Sequence, residues 1–365
     1  MGLQIITNGV IFELRKRLSK YGERVAMASL KDISRQCGVS VATVSKALNN
    51  HTDISEETRE RVRKAAKELG YSPNFSARAL KTNRTHGIGV LFVDEARSGL
   101  THDYFAGVLD SFKSTVEEKG YDITFINCSK KQPNRMTFLE HVRYHGFDGV
   151  VIACIDFAAP EVAELVQSDI PVVTIDHVFN NKIAIMSDNI AGMTELTNYC
   201  IDKGHTRIAY IHGEPSTVTT GRLTGFYRAT DKRGITIPDE YVVGCAYRDT
   251  VGTYRETKKL LKLKDRPTCI FYPDDFSALG GINAIREAGL QIPEDISVAG
   301  YDGIKAVTTL EPQLTTIVQA TDQIGERAAK KLISLIEKPK TTIIEQVVIP
   351  GVLQEGKTIA DLNQS

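Results

Sequence analysis

The sequence predicts a small all-α helix-turn-helix unit followed by an α/β core of two doubly wound parallel-sheet subdomains. Three observations predict it. Two short runs of helical apolar periodicity flank Gly38 near the N-terminus. From Gly87 onward, short apolar runs alternate with amphipathic stretches, the rhythm of parallel strands joined by helices. The rhythm also occurs in two similar halves, and 365 residues are long for one core and suit two or three units.

The first run covers Leu30 to Cys37 and the second Val41 to Leu48. Ile33, Cys37, Val39, Val44, Ala47 and Leu48 recur at helical spacing, and Gly38 supplies the residue that tolerates positive φ between them. Ser40 is a suitable N-cap for the second helix, three residues ahead of Thr43. The remaining surface of that helix (Val41, Ala42, Ser45, Lys46) is small or polar and can enter a DNA major groove without steric conflict, although a plain surface hairpin of helices would look the same. A third helix over Ser55–Leu69 has Ser55 as its cap, Glu56 and Glu57 at its positive end, an apolar stripe of Val62, Ala65, Ala66 and Leu69, and Gly70 as its stop. These helices define a headpiece over 29–72.

Residues 73–86 form a linker, with Pro73 and Asn74 opening two turns of helix over 74–81 that are too short to persist alone in water. Leu80, exposed and apolar beside Arg78 and Lys81, has the character of a minor-groove wedge. Ahead of the headpiece, residues 1–28 read as an extension or a misassigned start, since Met27 opens a conventional beginning; a short amphipathic helix over Val10–Tyr21 is the alternative. The apolar stretch there is followed, not preceded, by Arg15, Lys16 and Arg17, unlike a signal peptide.

Strands are expected at 87–93, 122–127, 149–154, 171–176, 207–212, 268–272 and 296–302. Helices are expected at 103–119, 134–145, 189–203, 220–234, 250–263 and 274–288. Helix 321–336 and strand 343–349 return to complete the sheets. The core spans 87–357, its first lobe 87–187 with 317–340 and its second 188–316 with 341–357, ahead of a tail at 358–365.

Formal net charge is zero, but Lys31–His86 carries eleven Lys/Arg against six Asp/Glu, leaving the remainder acidic. A basic module on an acidic body suits nucleic-acid binding. The six cysteines are dispersed with no CxxC pair, which fits reduced thiols in a cytosol, and no apolar run is long enough for a membrane span. No GxSxG elbow, Walker A loop or HExxH is present, and the GxG at Gly87 and Gly89 lacks its third glycine, so no catalytic residue, metal ligand or cofactor site is assigned and an enzyme is not expected.

Ligands of doubly wound sheets bind beyond the carboxyl ends of the strands. Asp176, Asp274, Asp275 and Asp302 fall there, and Arg222 opens a helix after a strand. Carboxylates and a guanidinium converging on a cleft can clamp vicinal hydroxyls of a sugar, with Tyr247, Phe179 or Phe271 against its ring. Each carboxylate has a second reading: Asp274 and Asp275 as helix N-caps, Asp302 as the holder of a GYDG turn. Asp188 reads as a cap, and His102 and Asp103 are placed to reach the cleft from the other lobe.

LKDISRQCGVSVATVSKALNN, ISEETRERVRKAAKELGYSPNFSARALKT, SDNIAG, KGHTRIAYI, GRLTGF, DDFSALGG, PEDISVAGYDG and PQLTTI occur in that order. Through them, residues 30 to about 355 resemble the lactose-repressor/galactose-repressor (LacI/GalR) family of bacterial transcription regulators. The resemblance implies a periplasmic-binding-protein-like core, crossover strands near residues 187 and 316, and a homodimer or tetramer whose hinge helices meet on double-stranded operator DNA. It implies base contacts by Val41, Ala42 and Lys46 and phosphate contacts by Ser40, Thr43, Ser45 and Asn49. It implies minor-groove contacts by Asn74, Arg78 and Leu80. In the core it implies an effector, of sugar class, held by Asp176, Arg222, Tyr247, Asp274 and Asp302. The protein is accordingly expected to be a cytoplasmic, nucleoid-associated repressor under effector control. Whether effector releases or promotes DNA binding differs among relatives. A secreted sugar-binding protein would share the core but would need a signal peptide and would lack residues 30–86.

Overall fold

Local sequence signals account for the three headpiece helices. The computed structural model describes residues 28–71, 84–94, 98–127 and 135–364; the helix expected over Val10–Tyr21 and the hinge residues Asn74, Arg78 and Leu80 lie outside them. The chain divides into two compact units, Met1–Asn83 and Arg84–Ser365. In the first, α1 (Leu30–Cys37) starts with a reciprocal capping box between Ser29 and Asp32 and ends at Gly38, whose φ is 65°. α2 (Val41–Leu48) is capped by Ser40, and α3 (Glu56–Glu68) by Ser55. Ile33, Val44, Ala47, Val62, Ala65 and Ala66 meet in one buried cluster, with Leu30, Cys37, Val39, Leu48, Ile54 and Tyr71 packed around it.

The second unit has two lobes. The first takes β1 (Gly87–Phe92), α4 (Asp103–Glu117), β2 (Asp122–Phe125), α5 (Phe138–His145), β3 (Gly149–Ala153), α6 (Pro160–Gln167), β4 (Val172–Ile175) and β5 (Ile183–Ser187). The second takes α7 (Asn189–Asp202), β6 (Ile208–His212), α8 (Thr217–Lys232), β7 (Val242–Gly244), α9 (Thr250–Leu260), β8 (Cys269–Phe271), α10 (Asp275–Glu287), β9 (Ser297–Ala299), α11 (Lys305–Thr308) and β10 (Thr316–Val318). The chain then returns to the first lobe as α12 (Thr321–Glu337) and β11 (Gln346–Ile349), and crosses once more as β12 (Val352–Gln354).

The first lobe's sheet runs β11-β5-β4-β3-β1-β2 and the second lobe's β7-β6-β8-β9, all parallel. β10 and β12 form an antiparallel pair. Central strands covered on both faces become uniformly apolar: every residue of β3 is buried. One face of the first sheet packs Ile88, Val90, Val151 and Val173 against α4 and α12, and the other packs Leu91, Val150 and Ile152 against α5 and α6.

Two expectations need correction. Strand β11 belongs to the first lobe, not to the second with the rest of 341–357. Its Gln346–Ile349 pairs in register with Ala184–Ser187, and Ile349 enters the first lobe's core. Helix α6 is not among the expected elements; with eight residues it is too short for its periodicity to stand out, although Pro160 marks its start.

Gly325 of α12 faces the backbone of α4 so closely that a β-carbon would lie 2.3 Å from the Val108 carbonyl oxygen and 2.7 Å from the Phe112 nitrogen. Gly325→Ala is therefore expected to destabilise the core by about 1–3 kcal/mol. Urea denaturation followed by circular dichroism reads this directly, and an unchanged midpoint would contradict the close helix contact.

Candidate functional site

Two surfaces carry the sequence-predicted residues. On the headpiece, burial of Val44 and Ala47 turns the opposite side of α2 outward, so that Val41, Ala42, Lys46 and Asn49 are exposed while Thr43 and Ser45 are half-buried. Val41 is 39% exposed, high for an apolar residue beside a small core. The polar groups already have local partners. Ser40 Oγ accepts the Thr43 N–H at 3.0 Å, the two hydroxyls lie 2.8 Å apart, and Asn49 Nδ2 donates to the Ser45 carbonyl at 2.7 Å. Lys46 is ion-paired with Asp53, which periodicity could not reveal because Asp53 lies in the loop after the helix.

In the core, a cavity of about 510 Å³ opens between the lobes at the carboxyl ends of both parallel sheets. Buried Arg222, on the first turns of α8, forms its floor. Its Nε donates to Asn189 Oδ1 at 2.8 Å, Nη1 to the Pro273 carbonyl at 2.6 Å and Nη2 to Asp302 Oδ1 at 3.4 Å, while its plane covers the Tyr301 ring at 3.6 Å. Burial opposes its charge, but the Tyr247 and Asp302 oxygens hold its proton above the ordinary arginine range. Asp302 also accepts from Gln319 Nε2 at 2.7 Å. Burial pushes Asp302 up to about 7 although Arg222 pulls the other way. From the first lobe, Asp176 accepts the Tyr104 hydroxyl at 2.5 Å and the Ser187 N–H at 2.9 Å, and burial raises it too. Tyr247 completes this wall, its hydroxyl 2.8 Å from Thr219 Oγ1. Gly213 permits this, because a β-carbon there would fall 2.1 Å from the Tyr247 ring.

Asp176, Arg222, Tyr247 and Asp302 thus line one cavity, and Asp274 does not. Asp274 caps α10, accepting from the Ser277 N–H at 2.8 Å and the Arg248 N–H at 2.8 Å. Its neighbour Asp275 ties the 303–304 turn to β10 through the Gly303 and Ile304 N–H groups and Thr316 Oγ1. Asp188 caps α7. Phe271 is in the second lobe's core, and Phe179 stands behind His177, outside the lining. His102 lines the cavity. Asp103 instead bridges the lobes, accepting from Arg248 Nη1 at 3.1 Å, while Arg248 Nη2 donates to the Thr101 carbonyl at 3.4 Å.

Sequence reasoning missed several lining residues, among them Tyr104, Phe105, Phe157, His177 and Gln319. Phe157 and His177 stack at 4.1 Å with planes 4° apart, one from each of two loops at strand ends. Two atoms of lining residues, His102 Nδ1 and Gln319 Oε1, are buried without a hydrogen-bond partner among the described residues. Among the described residues no group of three or more His, Cys, Asp or Glu is placed to hold a metal ion, and no helix is long and apolar enough to cross a membrane.

Residues 29–74 match the family model of bacterial regulatory proteins, lacI family, and residues 197–359 that of a periplasmic binding protein-like domain. The chain is 33% identical to the ribose operon repressor of Escherichia coli over 90% of its length and 99% of the relative's. It is 32% identical to the HTH-type transcriptional repressor PurR of Pectobacterium atrosepticum over 92% and 98%. Among solved structures, a LacI family regulator from Enterococcus faecium with bound ribose aligns at TM-score 0.65 and 26% identity, covering 76% of this chain and 99% of that one. The lac repressor dimer bound to operator and an anti-inducer shares the fold at TM-score 0.76 and 24% identity, covering 92% and 99%.

The raised Asp302 carboxyl sets a pH dependence. Its folded-state value near 7 lies above the ordinary 3.8, so the native state holds more protons than the unfolded chain between those values. Stability from this group is therefore present at the acidic end and lost as pH rises through the window. Relative to Asp302→Asn, whose amide does not titrate, the wild type should lose stability from pH 4 to pH 7 with a slope on the order of 1.4 kcal/mol per unit. Parallel urea titrations of the two proteins across that range should diverge; curves that stay parallel would place the Asp302 value back near 4.

Proposed function

As the chain belongs to the lacI family of bacterial regulatory proteins, we propose that it is a repressor whose operator affinity is set by a sugar or sugar derivative bound between the core lobes. It is a DNA-binding transcriptional regulator with an effector-binding core, and its relatives are repressors, not enzymes. The observation that carries the effector reading is the interlobe cavity lined by Arg222, Asp302, Asp176, Tyr247 and an aromatic wall. In this reading Arg222, Asp302 and Asp176 bind hydroxyls, and Tyr247 with the Phe157–His177 pair flanks the ring. Asp274 acts one step behind, through the end of α10 that it caps.

The α2 face reads DNA. Val41 and Ala42 offer only apolar contact, which favours a thymine methyl, and Lys46 donates to guanine once it exchanges Asp53 for the base. Ser40, Thr43, Ser45 and Asn49 face phosphates, which set register and not sequence. Two chains bind one operator as a homodimer, with Leu80, Arg78 and Asn74 at its centre, and the protein acts in the cytoplasm on nucleoid DNA. Effector works by linkage: it moves the DNA-binding equilibrium only as far as its affinity differs between the two states of the core.

Selection of duplexes from random oligonucleotides by the purified protein supplies the operator for two tests. Lys46→Ala should cost about 1–3 kcal/mol at one base pair per half-site and relax preference there; equal loss on every sequence would mark Lys46 as a phosphate contact instead. Arg222→Ala should weaken a sugar's effect on operator retention at least tenfold, about 1.4 kcal/mol or more. A variant that still responds to sugar like the wild type would remove Arg222 from the site.

A further inference from the structure

Four residues are slightly more than one turn of an α-helix, so side chains at i and i+4 stand one above the other on a single face. In α5 this spacing falls on two imidazoles, His141 and His145 of the run HVRYH. The helix is short but well fixed. Thr137 and Glu140 form a reciprocal capping box at its start, and Gly146 ends it in the left-handed region at φ 64°. Phe138, Leu139 and Val142 are buried beneath it. The His145 ring lies flat against Phe147, with centroids 5.5 Å and planes 12° apart, and Phe147 belongs to the first lobe's core. The two histidines therefore project from a rigid base, His141 half-buried and His145 exposed.

Their ring centroids are 4.4 Å apart. A metal ion bonded to an imidazole nitrogen at about 2.0–2.1 Å stands roughly 3.2 Å from the ring centre. Two rings on neighbouring corners of a square-planar or octahedral ion then have centroids about 4.5 Å apart, whereas a tetrahedral ion spreads them to about 5.2 Å. The observed spacing matches the right-angle geometry preferred by copper(II) and nickel(II). His141 Nδ1 is shut off from solvent, which leaves Nε2 as the atom that can meet an ion. Burial and the neighbouring His145 depress the proton affinity of His141, and a neutral imidazole is the form that ligates. With two protein ligands, water fills the remaining positions of the ion.

We propose that α5 binds a divalent transition-metal ion, of the nickel or copper class, between His141 and His145. The site adjoins the place where the chain enters the core. There Thr85 Oγ1 donates to the Gly146 carbonyl at 2.6 Å, and the Asp148 carboxylate accepts the Thr85 N–H at 2.9 Å and the His86 N–H at 2.8 Å. A bound ion clips the last turn of α5 next to the residues that make this anchor.

Isothermal titration calorimetry of the untagged full-length protein with nickel(II) chloride tests this; nickel is preferred to copper(II) as the probe because copper(II) oxidises thiols and the chain has six cysteines. The wild type is expected to bind one ion per chain through the pair. Chelation gives the second imidazole a high effective concentration, so His141→Ala and His145→Ala should each weaken binding at least tenfold. Arg143→His combined with His145→Ala restores the number of histidines but sets the second one at i+2, across the helix from the first. It should bind no better than His145→Ala alone. Circular dichroism melts without nickel check that each variant is folded, and nickel should raise the midpoint of the wild type but not of the variants. No binding by the wild type overturns the proposal, and so does equal affinity in the two alanine variants. Recovery of binding in the Arg143→His, His145→Ala protein also overturns it, because histidine content and not helical spacing would then hold the ion.

Discussion

A guanidinium taken out of water must have its donors answered, and the interlobe cleft is organised around that requirement at Arg222. The groups that answer it come from four separate parts of the chain: Asn189 at the start of α7, Pro273 after β8, Tyr301 and Asp302 after β9, and Gln319 through Asp302. Removing one partner of such a buried pair is costly because the other is left charged and unsolvated. These interactions fix the shape of the cavity floor from within the protein.

The same residues lie where the chain crosses between lobes. It crosses after β5, between β10 and α12, and between β11 and β12. Asn189 follows the first crossing and Gln319 sits in the second, so the cavity floor and the hinge share residues. At the mouth, the Asp103–Arg248 pair joins α4 of one lobe to the loop before α9 of the other. Arg248 is 9% exposed in its side chain and stacks on Phe276, whereas Asp103 is 43% exposed. The pair therefore joins the lobes at the mouth from an arginine anchored in the second lobe to a carboxylate half in water.

Much of the fold was legible because burial on both faces leaves long apolar runs at β1, β3, β4 and β6, and because caps such as Ser29, Ser40 and Ser55 are local signals. Elements of three to eight residues, β7, β12 and α6, left too little pattern. β11 was found as a strand but put in the wrong lobe, since a strand carries no mark of which sheet will pair with it. The site was legible only in part for a related reason. Asp274 and Asp302 both follow a buried strand, yet one turns back to cap a helix and the other faces the cavity; that difference depends on backbone direction, which at Asp302 takes the unusual φ of 110°. Phe157, His177 and Gln319 come from loops and a crossover whose residue types show no periodicity, and only the meeting of two lobes gives them a role.

The late return of the chain has a consequence for biosynthesis. The first lobe's sheet lacks an edge strand, and one face lacks the helix holding Ile324, Ala328 and Leu332 in its core, until residues 321–349 are available. On the ribosome, the second lobe's four parallel strands are all synthesised by Ala299, whereas the earlier-made lobe must wait with an uncovered apolar face. The second lobe in turn receives β12 and Thr358, whose Oγ1 donates to the Val298 carbonyl, only after residue 349, so the lobes are completed in the order in which they begin, and each exposes apolar surface to chaperones until its returning segment is made.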